Sequence, residues 1–336
     1  MSPVFGDKIK ISVFGQSHSE AIGVVIDSLP AGIEIDFDKL SEFMARRAPG
    51  QNSYSTPRKE ADKVKVLSGV INNKTCGATL CAIIENTNTR SQDYDNLLDI
   101  PRPSHADYSA HVKYNGFNDI RGGGHFSGRL TAPLCIAGGI AKQILEEKNI
   151  TVDAKILEIG GIKNNGEDFI SDEILDEIEK IRLQGDSLGG IIECTINGVP
   201  AGVGDTMTGS LESKLSSAIF AIPAIKGIEF GNGFECASLK GSQNNDPFYF
   251  DGDTVKTKTN NHGGILGGIA SGMPIVFRVA VKPTPSIGIE QESVNLKTKE
   301  NVKLKIEGRH DPCIVPRAVP CVEAVAAITI LEEIIL

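Results

Sequence analysis

Three consecutive glycines followed directly by a long apolar segment constrain the fold of this chain more than any other feature. Gly122–Gly124 can adopt backbone conformations that other residues avoid, and they let another group approach the main chain closely. After them, apolar residues recur at helical spacing from Leu130 to Lys148, which predicts a helix. The loop therefore leads into a helix N-terminus, where free N–H groups and the helix dipole favour an anion.

The side chains around these glycines favour a binding site over a solvated surface turn. Arg121 and Arg129 carry planar guanidinium groups that suit phosphate or carboxylate, and His125 and Ser127 lie between them. Two nucleotide-binding motifs are excluded. Arg129 and Leu130 replace the lysine and hydroxyl of a Walker A loop, and Ser127 replaces the third glycine of a dinucleotide fingerprint.

Composition indicates a mildly acidic globular protein. The 336 residues include 34 Lys and Arg against 43 Asp and Glu, and the net charge of −9 argues against a nucleic-acid binder. No apolar run is long enough to span a bilayer, and no secretory segment follows Met1. Seven scattered cysteines without C-x-x-C spacing predict reduced thiols in the cytoplasm, with Cys76 and Cys81 packed in the core. No Cys/His spacing indicates a metal site.

The distribution of arginine and histidine points to a ligand. Lysines are spread along amphipathic segments, whereas most arginines and histidines lie in turns rich in Gly and Pro. An acidic protein that gathers these side chains in loops is predicted to bind a small anion. The Arg46–Arg47 pair is explained equally well as a pair of cations at a helix C-terminus.

Periodicity predicts several further elements. Strands are expected near residues 8–14, 23–29, 64–71, 78–84 and 274–281. A helix is expected to begin at a cap formed by Asp36 or Asp38 and to run through Ala45. Residues 85–118 are predicted to be irregular, and the polar segment 49–56 is interpreted as a mobile lid.

Two parts of the chain are similar to each other. Residues 24–32 are echoed by residues 194–202, and the turn at 128–135 by the turn at 308–313, each followed by a helix. We infer one domain made of two related α+β halves, about 1–150 and 151–336, around a pseudo-twofold axis. Chance similarity is the alternative.

Three further segments carry candidate acid–base groups. His18 follows a predicted strand and is flanked by hydroxyls, so it is a candidate acid or base, or equally a turn cap. In the proline-restrained turn Arg102–Asp107, the Asp107 carboxylate could orient His105, although a plain surface turn is the alternative. The segment Gly308–Cys313 puts a guanidinium, an imidazole and a carboxylate side by side.

Together these segments resemble the chorismate synthase family. The matching segments fall in that family's order and span nearly the whole chain: Gly15–His18, Arg102–Asp107, Arg121–Arg129, Asn261–Gly268, Lys282–Thr284 and Gly308–Cys313. The resemblance implies an α+β sandwich with long helices between antiparallel sheets, usually assembled as a homotetramer.

The resemblance also implies an activity. Members of the family are carbon–oxygen lyases that eliminate phosphate from 5-enolpyruvylshikimate 3-phosphate in an anti-1,4 sense. The product is chorismate, at the last step of the shikimate pathway that feeds aromatic amino acid biosynthesis. The reaction requires reduced FMN but involves no net redox change.

Site residues follow from the same resemblance. His18 would protonate the leaving phosphate, His105 would lie at flavin N1, and Asp311 with Ser17 would relay a proton. Substrate anions would be bound by Arg47, Arg102, Arg129 and His310. FMN would be contacted by His125, Phe126, Ser127, Pro223, Ala224, Gly267, Lys282, Pro283, Thr284, Pro285, Ser286 and Arg309.

Several positions depart from the family pattern. Gln16 replaces a usual Glu, His125-Phe126 replaces a common Arg-Ser, and Pro223 replaces an amide residue. Ser53 stands where Arg is frequent, so NADPH is expected to act only indirectly. The chain shows no flavin-reductase segment, which implies an external reductase.

Two other functions are alternatives to the lyase. One is a flavin- or phosphosugar-binding protein without catalysis, and the other is a flavin-dependent oxidoreductase. The joint presence of His18, His105 and Asp311 favours the lyase, because binding alone does not need an acid–base set.

Overall fold

The computed structural model describes residues 4–50, 62–86, 97–164, 169–306 and 311–335. The predicted lid from residue 51 onward, including Ser53, lies outside these residues, as do Arg309 and His310. Among the described residues, no helix has the length and apolar character that crossing a membrane requires.

Eighteen strands are present in the described residues. The strands before the predicted long helix are β1 (Val4–Phe5), β2 (Lys10–Gly15), β3 (Ala21–Asp27), β4 (Lys65–Ser68), β5 (Val70–Ile71), β6 (Lys74–Thr75) and β7 (Leu80–Glu85). Those after it are β8 (Thr151–Ile159), β9 (Ile162–Lys163), β10 (Gly190–Asn197), β11 (Ile225–Phe230), β12 (Phe248–Asp251), β13 (Thr254–Thr257), β14 (Ile265–Leu266), β15 (Ile269–Ala270), β16 (Ile275–Val281), β17 (Gln291–Asn295) and β18 (Glu300–Leu304).

The helices differ widely in length. They are α1 (Phe37–Arg47), α2 (Asp107–Lys113), α3 (Thr131–Glu146), α4 (Asp172–Gln184), α5 (Leu211–Ile219), α6 (Gly241–Asn244) and α7 (Val315–Ile334). Residues of α3 are buried on nearly every side, as expected for a helix enclosed by other elements.

The strands form two five-stranded antiparallel sheets and several hairpins. The first sheet has the order β1-β2-β3-β7-β4 and the second β11-β16-β10-β8-β9. Along β16, Ile275, Phe277, Val279 and Val281 are buried and alternate with half-buried residues. This period of two puts one apolar face of the sheet against the interior.

The two long helices lie between the sheets. Helix α3 contacts β3 and β7 of the first sheet and β8 of the second, while α7 contacts β8 and β10. The two helices also pack against each other. The predicted α+β sandwich with helices between antiparallel sheets is therefore confirmed, whereas the internal repeat stays a prediction.

Local sequence accounts for most element boundaries. The Asp36 carboxylate caps α1 by accepting hydrogen bonds from the N–H groups of Asp38 and Lys39, so of the two predicted caps Asp36 is the one used. The predicted strand at 64–71 is split into β4 and β5 at Gly69, whose φ of 88° bends the chain.

Two expectations were wrong. Residues 85–118 are not irregular throughout, because α2 occupies Asp107–Lys113; its seven residues give too short a periodic pattern to be recognised. Cys76 is exposed and Cys81 only half-buried, so these thiols are not core residues. The Cys76 N–H donates to the Gly69 carbonyl in the turn between β4 and β5. Cys81 lies on β7 and pairs with Ser68 next to the edge strand β4.

The crossing of α3 and α7 depends on a glycine. A Cβ atom at Gly138 would lie 2.2 Å from the Ala324 Cα. We expect Gly138→Ala to lower the free energy of unfolding by about 1–3 kcal/mol, the cost of overpacking, although helix propensity alone would favour alanine by about 1 kcal/mol. Urea unfolding measures the change. Gly241→Ala is the control, because a Cβ there meets nothing within 4 Å. Equal stability of both variants would contradict the tight crossing.

Candidate active site

The three glycines bring two histidines to one place. Gly122, Gly123 and Gly124 all have positive φ, at 59°, 83° and 55°. A Cβ at Gly122 would lie 2.4 Å from Ser17 Oγ and 2.8 Å from His18 Nε2. A Cβ at Gly123 would lie 3.3 Å from His105 Nε2. The loop therefore separates the His18 and His105 rings by little more than its own backbone, and only glycine fits there.

Ser17 and His18 are held at the end of β2. The Ser17 N–H donates to the Gly124 carbonyl at 3.1 Å, and the Ser17 side chain is buried. The turn is closed by Ser19, whose hydroxyl accepts from the Gln16 N–H at 2.9 Å. The strand end and the glycine loop are thus fixed to each other.

A carboxylate orients His105, as predicted. His105 Nδ1 donates to Asp107 Oδ1 at 2.5 Å. Burial opposes ionisation of Asp107, but hydrogen bonds from Arg102 and His105 outweigh it and hold the pKa of this carboxyl well below its usual range. With Nδ1 bonded to a carboxylate, Nε2 on the Gly123 side is the nitrogen that can accept or donate a proton.

Arg102 links this turn to the 282–286 turn. Its Nε donates to Asp107 Oδ2 at 2.7 Å, and its Nη1 donates to Ser286 Oγ at 3.1 Å. Lys282 Nζ in turn donates to the Ser104 carbonyl at 2.6 Å. Burial, together with the charge of Lys226, lowers the pKa of Lys282. Two proline-stiffened turns that are far apart in sequence therefore form one wall.

An unexpected carboxylate, Asp62, joins two of the predicted substrate arginines. Arg47 Nη1 donates to Asp62 Oδ2 at 2.7 Å, and Arg129 donates to Asp62 Oδ1. Arg47 Nε also donates to Thr131 Oγ1 at 3.1 Å, and Arg129 Nε donates to Asn86 Oδ1 at 3.2 Å. The Asp62 side chain is fully buried. In sequence, Asp62 lies in a charged stretch that looks like a solvated surface, so no pattern indicated it.

Arg317 connects Asp311 to the same cluster. It donates from Nη1 to Asp311 Oδ2 at 2.5 Å and from Nε to the Arg47 carbonyl at 3.0 Å. Burial lowers the pKa of Arg317, although the Asp311 carboxylate opposes this effect. The candidate proton relay and the arginine cluster are therefore adjacent in the fold.

Aromatic rings flank the glycine loop. The ring centroids of His125 and Phe126 are 4.2 Å apart, and Tyr114 packs edge-on against His125 at 5.4 Å. Ser127 Oγ accepts from the Arg129 N–H at 3.3 Å and caps the short turn before α3. The three predicted residues His125, Phe126 and Ser127 are thus contiguous with the arginines.

The remaining residues predicted to contact FMN lie at the two ends of helix α5. The Lys282 N–H donates to the Ala224 carbonyl at 2.9 Å, so Pro223 and Ala224 adjoin the 282–286 turn. Gly267 lies at the tip of hairpin β14–β15, and the neighbouring Gly268 carbonyl accepts from Leu211 at the start of α5. Ala224 follows the other end of that helix, which is about 13 Å long. Gly267 therefore adjoins the N-terminal end of α5.

His262 fastens the glycine-rich loop that contains Gly267. One ring nitrogen of His262 bonds to Asp246, and the other lies 3.2 Å from Ser271 Oγ. Both partners come from outside the loop, so this histidine anchors it. Among the described residues, no group of three or more His, Cys, Asp or Glu side chains is arranged to hold a metal ion.

The chain is similar to known proteins over nearly its whole length. The chorismate synthase family model matches residues 9–335. A chorismate synthase from Dehalococcoides mccartyi is 44% identical over 99% of this chain and 96% of its own length. One from Thermococcus kodakarensis is 45% identical over 98% of this chain and 97% of its own length. A solved crystal structure of chorismate synthase superimposes with a TM-score of 0.75 at 26% identity, covering 98% of this chain and 92% of that one.

Proposed function

The chain belongs to the chorismate synthase family of carbon–oxygen lyases, and we propose that it eliminates phosphate from 5-enolpyruvylshikimate 3-phosphate, with reduced FMN, to give chorismate. The observation that carries the proposal is the juxtaposition of His18 and His105 across the triple-glycine loop, beside buried arginines. Acid–base groups next to fixed cations are what the loss of a phosphate and a proton requires.

The acid–base roles follow from position. His18, at the end of β2, would protonate the departing phosphate. His105, whose tautomer is fixed by Asp107, would hold the charge state of the reduced flavin ring on the side of Gly123. Asp311, bonded to Arg317 and aided by Ser17, would accept the proton removed from the substrate ring.

The arginines would serve two purposes. The substrate carries a phosphate and two carboxylates, and charge develops on the departing phosphate. Fixed cations there stabilise the transition state more than the ground state. We assign this task to Arg47 and Arg129, with Arg309 and His310. The donors of Arg102 are directed at Asp107 and Ser286, and those of Arg47 at Thr131, Asp62 and the Gly128 carbonyl. Arg102 therefore has a positioning role, and Arg47 acts on the substrate mainly through its charge.

The wall formed by the two proline-stiffened turns fits a flavin. The Thr284 hydroxyl is buried and has no hydrogen-bond partner among the described residues. Lys282 supplies a cation beside it, and Ser286 supplies a further hydroxyl. These donors suit the phosphate and polar ring edge of FMN. When bound, reduced FMN would supply an electron-rich ring that assists C–O cleavage without net redox change.

The proposal also covers the assembly of the protein and the source of electrons for its flavin. We propose a cytoplasmic homotetramer whose flavin is reduced by an external reductase, with NADPH acting only through that reductase. Gly267, at the tip of hairpin β14–β15, stays a proposed flavin contact. His125, Phe126 and Ser127 remain proposed flavin contacts from the loop side.

Anaerobic phosphate release tests the function directly. We expect phosphate and chorismate to form from 5-enolpyruvylshikimate 3-phosphate only when dithionite-reduced FMN is present. A folded protein that binds FMN and releases no phosphate would favour the binding-protein alternative. Stoichiometric oxidation or reduction of the flavin by the substrate would instead favour the oxidoreductase.

A further inference from the structure

Two buried thiols face each other where α3 packs against α7. The Sγ atoms of Cys135 and Cys321 are 3.9 Å apart, and the residues are 0% and 3% exposed. Neither side chain has a part in the proposed reaction. Burial alone would make both thiols unreactive, so the geometry and charges around them decide what they can do.

The pair lies at the closest approach of the two helices. Gly138 and Ala324 follow Cys135 and Cys321 by three residues each, so they lie on the same helix faces. The two backbones approach so closely here that a Cβ atom added at Gly138 would lie 2.2 Å from the Ala324 Cα. A disulfide requires the sulfur atoms to approach by about 2 Å, to a bond length of about 2.0 Å.

The two thiols differ in character. The hydrogen bond from the Cys135 thiol, supported by the charges of Arg47 and Arg317 and opposed by burial, lowers the pKa of the Cys321 thiol. The same hydrogen bond, together with burial, raises the pKa of Cys135. When Cys321 is a thiol, its S–H donates to the Arg317 carbonyl at 3.3 Å. The pair therefore combines a nucleophilic thiolate with a neighbouring thiol that can resolve its oxidation product.

We propose that Cys135 and Cys321 are a modification site that takes a small hydroperoxide as oxidant and forms a disulfide. The Cys321 thiolate attacks the peroxide, an S–O bond forms, the O–O bond breaks, and the departing oxygen takes up a proton. The Cys135 sulfur then attacks the sulfenic sulfur, loses its proton and expels water. In sum, two thiols and one hydroperoxide give a disulfide, one alcohol or water molecule, and one water molecule.

The burial of the pair sets the kind of oxidant. Hydrogen peroxide is about the size of the water molecules that penetrate protein interiors, whereas a bulky aromatic disulfide reagent cannot reach either sulfur. Cys76 and Cys236 are exposed and should react with both reagents. Selectivity for the small oxidant thus distinguishes the buried pair from the exposed thiols.

Mass spectrometry tests the inference without reference to activity. The full chain carrying Cys76→Ser, Cys81→Ser and Cys236→Ser is treated with hydrogen peroxide while folded, and free thiols are then alkylated. We expect the loss of two hydrogens and one cross-linked peptide that joins Cys135 to Cys321. Peptide mapping of the peroxide-treated unmodified chain should show the same cross-link, which covers the case of a misfolded variant.

Single replacements separate the two steps. In Cys135→Ser, whose hydroxyl can still donate a hydrogen bond to Cys321, we expect Cys321 of the folded protein to be oxidised to a sulfenic acid that dimedone labels once the chain is unfolded in its presence. In Cys321→Ala we expect Cys135 to remain reduced. The proposal is overturned if Cys135 and Cys321 stay fully alkylatable after unfolding while Cys236 of the same unmodified chain has been oxidised. It is also overturned if the cross-link forms only when peroxide is added to unfolded protein.

Discussion

Replacing His105 by alanine should lower the turnover number by about 10²–10⁴-fold, the usual range for a lost acid–base group. The Asp107 carboxylate holds Nδ1 of the ring, and Nε2 is left on the side of Gly123, opposite His18. Anaerobic phosphate release with reduced FMN measures the change.

A second histidine of the same segment is the control for this prediction. His111 lies on α2, close to Gly116, and has no part in the proposed reaction, so His111→Ala should retain near-native turnover. Asp107→Asn should cause an intermediate loss, because the amide keeps the shape of the side chain but no longer fixes the tautomer by charge. Near-native turnover of His105→Ala would contradict the role assigned to this ring.

Sequence reasoning succeeded where the interacting residues are close along the chain. Asp107 is two positions from His105, and a proline restrains the turn, so their contact was predictable from the local pattern. The period of apolar residues likewise predicted α3 to within two residues at each end, and β16 to within one. Both elements are buried, and burial is what makes a periodic apolar pattern strong.

The same reasoning failed where a contact joins distant segments through charge. Asp62 lies in a stretch whose composition is ordinary for a surface, yet its side chain is fully buried between two arginines. A charge is buried only if its partner arrives from elsewhere in the fold, and sequence spacing does not report that partner.

Replacing Asp62 by alanine should lower the free energy of unfolding by about 3–5 kcal/mol, the cost of removing one partner from a buried ionic group. The Arg47 and Arg129 side chains are only 4% and 5% exposed. Without Asp62, two guanidinium groups would face each other in the interior without the carboxylate that now lies between them. Urea unfolding at neutral pH measures the loss.

An exposed pair of the same chemistry is the control. Glu179 and Arg182 lie on the outer face of α4 and form a salt bridge at 2.6 Å in solvent, so Glu179→Ala should cause no measurable loss. If Asp62→Ala were equally harmless, the carboxylate would not be needed to balance the two arginines.

The contribution of Asp62 should also depend on pH with a defined sign. Burial opposes its ionisation, but Arg47 and Arg129 outweigh burial and lower the pKa of Asp62 below its ordinary value. A carboxyl whose pKa is lower in the folded state stabilises the fold fully above its unfolded pKa of about 4 and loses that contribution as the pH falls. The difference in unfolding free energy between the natural chain and Asp62→Asn should therefore shrink as the pH falls below about 4.

Charge counting predicts the effect of Asp62→Asn on the reaction. Arg47, Arg129 and Asp62 together carry one net positive charge, and the Arg317–Asp311 pair carries none. Removing the Asp62 charge doubles the net positive charge offered to a phosphorylated substrate, so KM should fall. The amide no longer fixes both guanidinium groups, so kcat should fall as well, because orientation rather than charge alone selects the transition state. If KM rises instead, Asp62 supports the binding geometry and does not compete with the substrate for the two arginines.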